Sequence, residues 1–335
     1  MPKPRRLGIL TLASFAGMFV LGFIAGWAVV TNDSSPAGVI TESGLRMSGQ
    51  YKLVSPLLLC SSAEVGNVDQ YVSLQSQVNT EIASDKQAGN VTDVSVYFRD
   101  FKGKWLDINS TAQYAPASLL KVPIMIAYLK SSESDHGILG KRLTYMGAID
   151  ENGAETFATS SDIKPGTYTV DELLKAMIVY SDNNAATLLY ENMDKTWLSE
   201  VYSDLGLSLK PGGSADTENI TAKQYSYFFR ILYNATYLTP ANSEKALELL
   251  SGPDFPQGIE STVPAGVTVA NKFGERSILT PTGAVVEREL HDCGIVYAPN
   301  GPYLLCIMTR GKDFGALTKV IDAISSIVYK ATNSN

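Results

Sequence analysis

The segment YAPASLLKVPIMIAYLK, residues 114–130, decides how the chain is read, because it sets a serine and a lysine three residues apart inside an otherwise apolar run. Residues 118–130 are apolar on nearly every face, which predicts a helix buried all round. Pro123 cannot donate to the Leu119 carbonyl, so a bend is expected after the first turn. On such a helix Ser118 and Lys121 share a face one turn apart, with the amine in reach of the hydroxyl. Burial among Leu, Ile and Met disfavours the ammonium form. A neutral lysine is a general base, and a serine beside it becomes a nucleophile. A helix N-terminus then offers backbone N–H groups to the oxyanion formed on attack. By itself the spacing is weak evidence: Ser161 and Lys164 repeat it in a Pro-Gly loop, and a lysine snorkelling at the core edge is the commoner reading.

Around this segment the pattern is mixed. VTDVSVYFRD and KWLDIN read as two strands of a hairpin turned at Lys102-Gly103. Thr169 with Glu172 forms a capping box, so a helix should run from about Val170 to Tyr180. NNAATLLYEN starts another helix, and Ser181-Asp182-Asn183 sits at the junction, where it can face a cleft. ITAKQYSYFFRILYN, capped by Thr221, and ANSEKALELLSG read as helices. The strands GVTVANKFG, LHDCGIVYA and YLLCIMTRG follow, with a last helix near 314–331. Strands bracketing a long helical insert predict an α+β fold with an antiparallel sheet flanked by helices and an all-helical subdomain.

The N-terminus carries a different signal. Residues 7–30 hold no charge and as a helix would reach about 36 Å, enough to cross a bilayer. Lys3, Arg5 and Arg6 precede them and no basic residue follows until Arg46, so the N-terminus is expected in the cytoplasm and the rest outside. A cleaved signal peptide is the alternative, but the run exceeds the usual signal length. The expected division is a basic tail at 1–6, an anchor at 7–30, a linker and extension at 31–66, and a catalytic domain at 67–332. The 27 basic residues include three in the first 30, where there is no acid, so the exported part sets 24 against 34 acidic residues, a net charge of −10. That balance argues against nucleic acid as a partner.

Of the three cysteines at least one must be unpaired. Cys293 and Cys306 flank a hairpin, but a turn centred on Asn300-Gly301 sets Cys293 opposite Met308, which argues against a bridge. His291 shares a strand face with Cys293, a conceivable Cys–His pair without an orienting third group. No histidine spacing suggests zinc and no glycine-rich loop suggests a phosphate, so neither metal nor cofactor is expected.

The order of motifs narrows the chemistry. SLLK at 118–121 is followed by SDN at 181–183 and by KFG at 272–274 on a strand before a hairpin. S-x-x-K, S-D-N and K-T-G form the signature of class A β-lactamases and penicillin-binding proteins, and residues 91–332 resemble these serine hydrolases. The resemblance implies that Ser118 is acylated, that Lys121 is its base, and that Ser181 relays a proton to the leaving nitrogen. It also implies that Asn183 holds the substrate amide, that Lys272 attracts its carboxylate, and that Ser118 and Glu275, beside Gly274, supply the oxyanion N–H groups. Two departures stand out. Phe273 replaces a hydroxyl residue that helps to bind the carboxylate in the family, a task left to Arg276 or Ser277. The deacylating glutamate has one candidate, Glu218, which by another count is only a helix-start glutamate. The resemblance implies β-lactam hydrolysis. A D-alanyl peptidase or acyl transferase acting on cell-wall peptides, and an idle penicillin-binding-like surface sensor, remain open.

Overall fold

The computed structural model describes residues 51–55, 68–147, 151–152, 156–157, 162–211, 218–252 and 255–333. The expected anchor at 7–30 and Cys60 lie outside these residues. Among the described residues no helix is long and apolar enough to cross a membrane.

Helix α1 (Val68–Ala88) leads into the hairpin of β1 (Asp93–Asp100) and β2 (Trp105–Ile108). A tight 3-10 turn at Ala117–Leu120 runs directly into α2 (Lys121–Ser131). Strands β3 (Arg142–Tyr145) and β4 (Gly166–Thr169) form a small separate sheet. The helical insert follows as α3 (Val170–Val179), α4 (Asn183–Asn192), α5 (Lys195–Asp204), α6 (Ala222–Asn234) and α7 (Pro240–Leu250). The chain closes with β5 (Val269–Leu279), β6 (Val285–Val296), β7 (Tyr303–Gly311) and α8 (Phe314–Asn333). The main sheet is antiparallel in the order β2–β1–β7–β6–β5, so the last three strands join the first two and β5 is an edge.

Strand alternation builds two cores on one sheet. On one face Leu74, Val78 and Ile82 of α1, spaced four apart, and Leu317, Ile321, Ile324 and Val328 of α8 cover Val94, Val96, Phe98, Leu305 and Ile307. On the other face Tyr97, Ala270, Cys293, Ile295, Leu304 and Met308 meet α2 through α7. Helix α2 lies inside this second layer with residues 121–129 all buried, so its apolar circumference has neighbours on every side. The helix starts are local: the expected capping box at Thr169–Glu172 is formed, and Thr221 forms another with Gln224.

The expected bend at Pro123 takes another form. The 3-10 turn closes Leu119 N–H onto the Pro116 carbonyl, and the α-helix begins only at Lys121, so Pro123 stands in the first helical turn. The Leu119 carbonyl, which Pro123 cannot serve, accepts the buried Tyr225 hydroxyl at 3.0 Å.

The cysteine expectation is overturned. Cys293 lies opposite Cys306, not Met308, with Cα atoms 3.9 Å apart and a disulfide between them. A two-residue turn at Asn300-Gly301 needs an N–H on residue 302, and Pro302 has none. The connection is therefore longer: Val296 pairs with Tyr303, and Gly301 donates to the Ala298 carbonyl from φ +125. With Cys293 bridged, the Cys–His pair is also excluded.

The segment Tyr51–Ser55 is fastened to this domain by Glu244 on α7, whose carboxylate accepts the backbone N–H groups of Lys52 (2.6 Å), Leu53 (3.0 Å) and Val54 (2.9 Å). Tyr297 adds a bond to the Leu53 carbonyl, and Val54 is buried in the second core. Glu244→Ala is expected to cost about 2 kcal/mol, the scale of hydrogen bonds to a charged group. Urea denaturation reads that cost, and limited proteolysis should cut within residues 51–55 faster than in the wild type.

Candidate active site

Two local strains mark the site. Ala117, just before Ser118, has φ +48, and Ser181 has φ +52. Left-handed backbone at non-glycine residues costs about 1–3 kcal/mol and persists where surrounding contacts impose it. At Ser181 the conformation turns the chain between α3 and α4. Asp182 then caps α4, its carboxylate accepting Ala185 N–H at 2.8 Å and Ile163 N–H at 2.7 Å.

This turn brings Ser181 between two lysines from different layers. Lys121 Nζ, at the start of α2, donates to the Ser181 carbonyl, to Ser181 Oγ (3.1 Å) and to Asn183 Oδ1 (2.6 Å). Lys272 Nζ, from β5, donates to the same Oγ at 2.9 Å and to the Phe273 carbonyl at 3.1 Å. Relative exposures of 4% for Lys121, 1% for Ser181 and 0% for Lys272 place both amines away from bulk water. Asn183 Nδ2 donates to the Glu151 carbonyl at 3.1 Å, so its carboxamide has a defined orientation.

Ser118 is half-buried on the 3-10 turn, and its carbonyl accepts the N–H of Lys121. Residues three apart eclipse in a 3-10 turn, which aligns Ser118 with Lys121 more closely than an α-helix would. Gly274 brings β5 against this turn: a Cβ there would lie 2.9 Å from the Pro116 carbonyl and 3.2 Å from Leu119 N. Only a glycine allows that approach. The structure thus joins Ser118, Lys121, Ser181, Asn183, Lys272, Gly274 and Glu275 at the seam between β5 and the helical layer.

Glu218 is placed differently. It is buried, and its carboxylate accepts the Lys210 N–H at 3.2 Å, within its own loop. Arg276 pairs across the strands with Glu289 at 3.5 Å. Phe273 is buried on the opposite face of β5 from Gly274, stacked on Phe255 at 4.0 Å and edge-on to Phe157. Lys272 Nζ reaches over the Phe273 ring, 4.2 Å from its centroid.

Sequence reasoning missed three contributors. The Glu275 carboxylate, considered only for its backbone, accepts the N–H groups of Thr156 (2.9 Å) and Phe157 (2.8 Å), tying that loop to β5. Asp292, across from Phe273 on β6, is pushed up to about 6 by burial, against the pull of Ile259 N–H and the Asn271 amide. Ala115, three residues before Ser118, is held on both sides from β6: its N–H donates to Glu289 Oε2 at 3.3 Å and its carbonyl accepts from His291 Nε2 at 3.1 Å. None of these has a local sequence signal, because every partner lies more than 20 residues away and comes close only through tertiary packing or strand pairing.

A sheet edge meeting a helical layer, with a serine turn, two lysines and an asparagine at the seam, defines a β-lactamase-like serine hydrolase. The family model of the beta-lactamase enzyme family matches residues 73–332, and the chain belongs to that family. Its fold is similar to that of PBP-A, at 21% identity and a TM-score of 0.65 over 78% of this chain and 97% of that one. A mutant of PBP-A, described as an acyl-enzyme complex with penicillin G, matches at 21% and 0.65 over 79% and 97%. A beta-lactamase from Sphaerobacter thermophilus matches at 21% and 0.65, over 77% and 97%. No curated protein matches the chain.

Burial lowers His291 to about 4 from an ordinary 6.5. Between those values the unfolded chain takes up the proton first, so His291 contributes stability that is full above about pH 6.5 and lost as pH falls through 4. The pH-dependent part of the wild-type advantage over His291→Phe is expected to shrink across that window, measured by urea denaturation at successive pH values.

Proposed function

We propose that this chain is a serine hydrolase working through an acyl-enzyme on Ser118, anchored in the membrane by residues 7–30 with its catalytic domain outside the cytoplasm, and that β-lactams are among its substrates. The observation that carries this reading is Ser181 Oγ between the Lys121 and Lys272 amines. Lys121, once neutral, takes the Ser118 proton as Oγ attacks the amide carbonyl. The Ser118 and Glu275 N–H groups receive the oxyanion at the junction that Gly274 permits. Ser181 passes a proton to the leaving nitrogen, and Lys121 or Lys272 replaces it across one hydrogen bond. Asn183 holds the substrate amide through the same carboxamide that binds Lys121. Water then releases the acyl group. No step requires a metal or cofactor.

Deacylation is where a second reading enters. Glu218 is the one acid considered for activating water, and its carboxylate is engaged by Lys210 N–H. That favours slow release, as in a penicillin-binding D-alanyl peptidase or acyl transferase acting on cell-wall peptides.

The test is intact mass against time for the full-length chain in detergent with benzylpenicillin. We expect an adduct that is absent in Ser118→Ala. An adduct that persists supports the penicillin-binding reading, and one that clears while penicillin is consumed supports a β-lactamase. Absence of any adduct with the penicillin left unconsumed removes β-lactams from the substrates and favours the idle sensor.

Phe273 generates a separate expectation. A hydroxyl bond to a carboxylate is worth roughly 1.5–3 kcal/mol, about ten- to a hundredfold in rate, and a stacked phenyl ring cannot supply it. Benzylpenicillin and its methyl ester should therefore acylate Ser118 within about tenfold of each other. A much larger preference for the free acid would show that a charged group, Lys272 or Arg276, binds the carboxylate without the hydroxyl.

A further inference from the structure

We propose that His291 is a positioning residue for the reaction: with Glu289, it grips the peptide of Ala115 and thereby fixes the turn that presents Ser118. The proposal rests on the reading of Ser118 as nucleophile.

Ala115 is 1% exposed and belongs to no strand, so both of its backbone polar groups need partners that regular structure does not provide. Both come from one face of β6, two residues apart. Glu289 Oε2 accepts the Ala115 N–H, and the Ala115 carbonyl, which can only accept, requires a proton on His291 Nε2. The other ring nitrogen receives Thr309 N–H at 3.3 Å, so it must be unprotonated. These two contacts leave a single neutral tautomer, with Nε2–H aimed at Ala115. The imidazole is held further by the edge-on Tyr114 ring, with centroids 5.4 Å apart. Glu289 is itself fixed, its Oε1 accepting Arg310 Nε at 3.0 Å and Nη2 at 2.7 Å.

The grip sits where the chain most needs support. Upstream, Gln113 O accepts from Arg310, and Tyr114 exchanges both backbone bonds with Ile220 at 3.0 Å. Downstream come Pro116, whose carbonyl faces Gly274, and Ala117 in its left-handed conformation. With Ala115 loosened, the Ala117 strain relaxes by turning the segment, and Ser118 moves relative to Lys121 and the Glu275 N–H. A displacement near 1 Å can cost about a hundredfold in rate.

The experiment compares wild type, His291→Phe and His291→Gln in the full-length chain in detergent at neutral pH. Acylation of Ser118 is followed by mass with benzylpenicillin and, in parallel, with a fluorophosphonate that labels activated serines, and Ser118→Ala serves as control. Phenylalanine keeps the ring and removes the donor, whereas glutamine sets an amide N–H close to the former Nε2–H. Both lack the ring nitrogen that served Thr309, so their difference isolates the bond to Ala115. We expect His291→Phe to lower the limiting acylation rate about ten- to a hundredfold with the half-saturating concentration unchanged. His291→Gln should recover most of that loss at a similar melting temperature. Wild-type rates in His291→Phe overturn the proposal. Equal slowing of both variants in step with equal losses of melting temperature also overturns it, because it makes His291 merely structural. Failure of both reagents to label wild-type Ser118 overturns the nucleophile assignment as well, a result distinct from the other two.

Discussion

Ser181 Oγ is the oxygen on which two layers of this molecule converge. One lysine reaches it from the first residue of a buried helix and the other from an edge strand. Moving such amines out of water costs several kcal/mol for each one that stays charged, and that cost is offset only by close acceptors. Sheet and helical layer must therefore meet within hydrogen-bond distance at this point. The left-handed Ser181, the Asp182 cap on α4 and the glycine that lets β5 touch the serine turn all serve that closure.

The serine turn is supported separately, because a 3-10 turn that begins on a strained alanine has little stability of its own. It is held from the helical side by Tyr225 on the Leu119 carbonyl and from the sheet by the residues around Ala115. Pro123 contributes by what it lacks: without its N–H the Leu119 carbonyl is open to the tyrosine. Ser118 thus stands on backbone whose polar groups are answered by side chains from β6 and α6, far away in sequence.

Much of the fold was legible because it rests on local rules. Capping at Thr169 and Thr221, the buried run at 118–130 and the alternating strands each carry their own signal within a dozen residues. The β5–β7 pairing was legible as strands but not in register. Asn300-Gly301 is a strong turn signal, and Pro302 vetoes the two-residue turn by lacking one N–H, which moved Cys306 opposite Cys293. At the site the motif residues could be named, yet the work of the Glu275 carboxylate, of Asp292 and of His291 was hidden. Their partners, Thr156, Ile259 and Ala115, approach only when the chain has folded.

By itself the sequence determined the order of most elements, though not β3, β4 or α5, together with the family resemblance and the motif positions of Ser118, Lys121, Ser181, Asn183 and Lys272, since periodicity, capping and motif spacing are properties of short segments. Only the tertiary structure decided that both lysines share one hydroxyl, that Phe273 joins an aromatic stack, that Glu218 is engaged within its own loop and that two cysteines face each other. Those are facts of register and of layer contact, and each is set by the packing of residues that no local pattern connects.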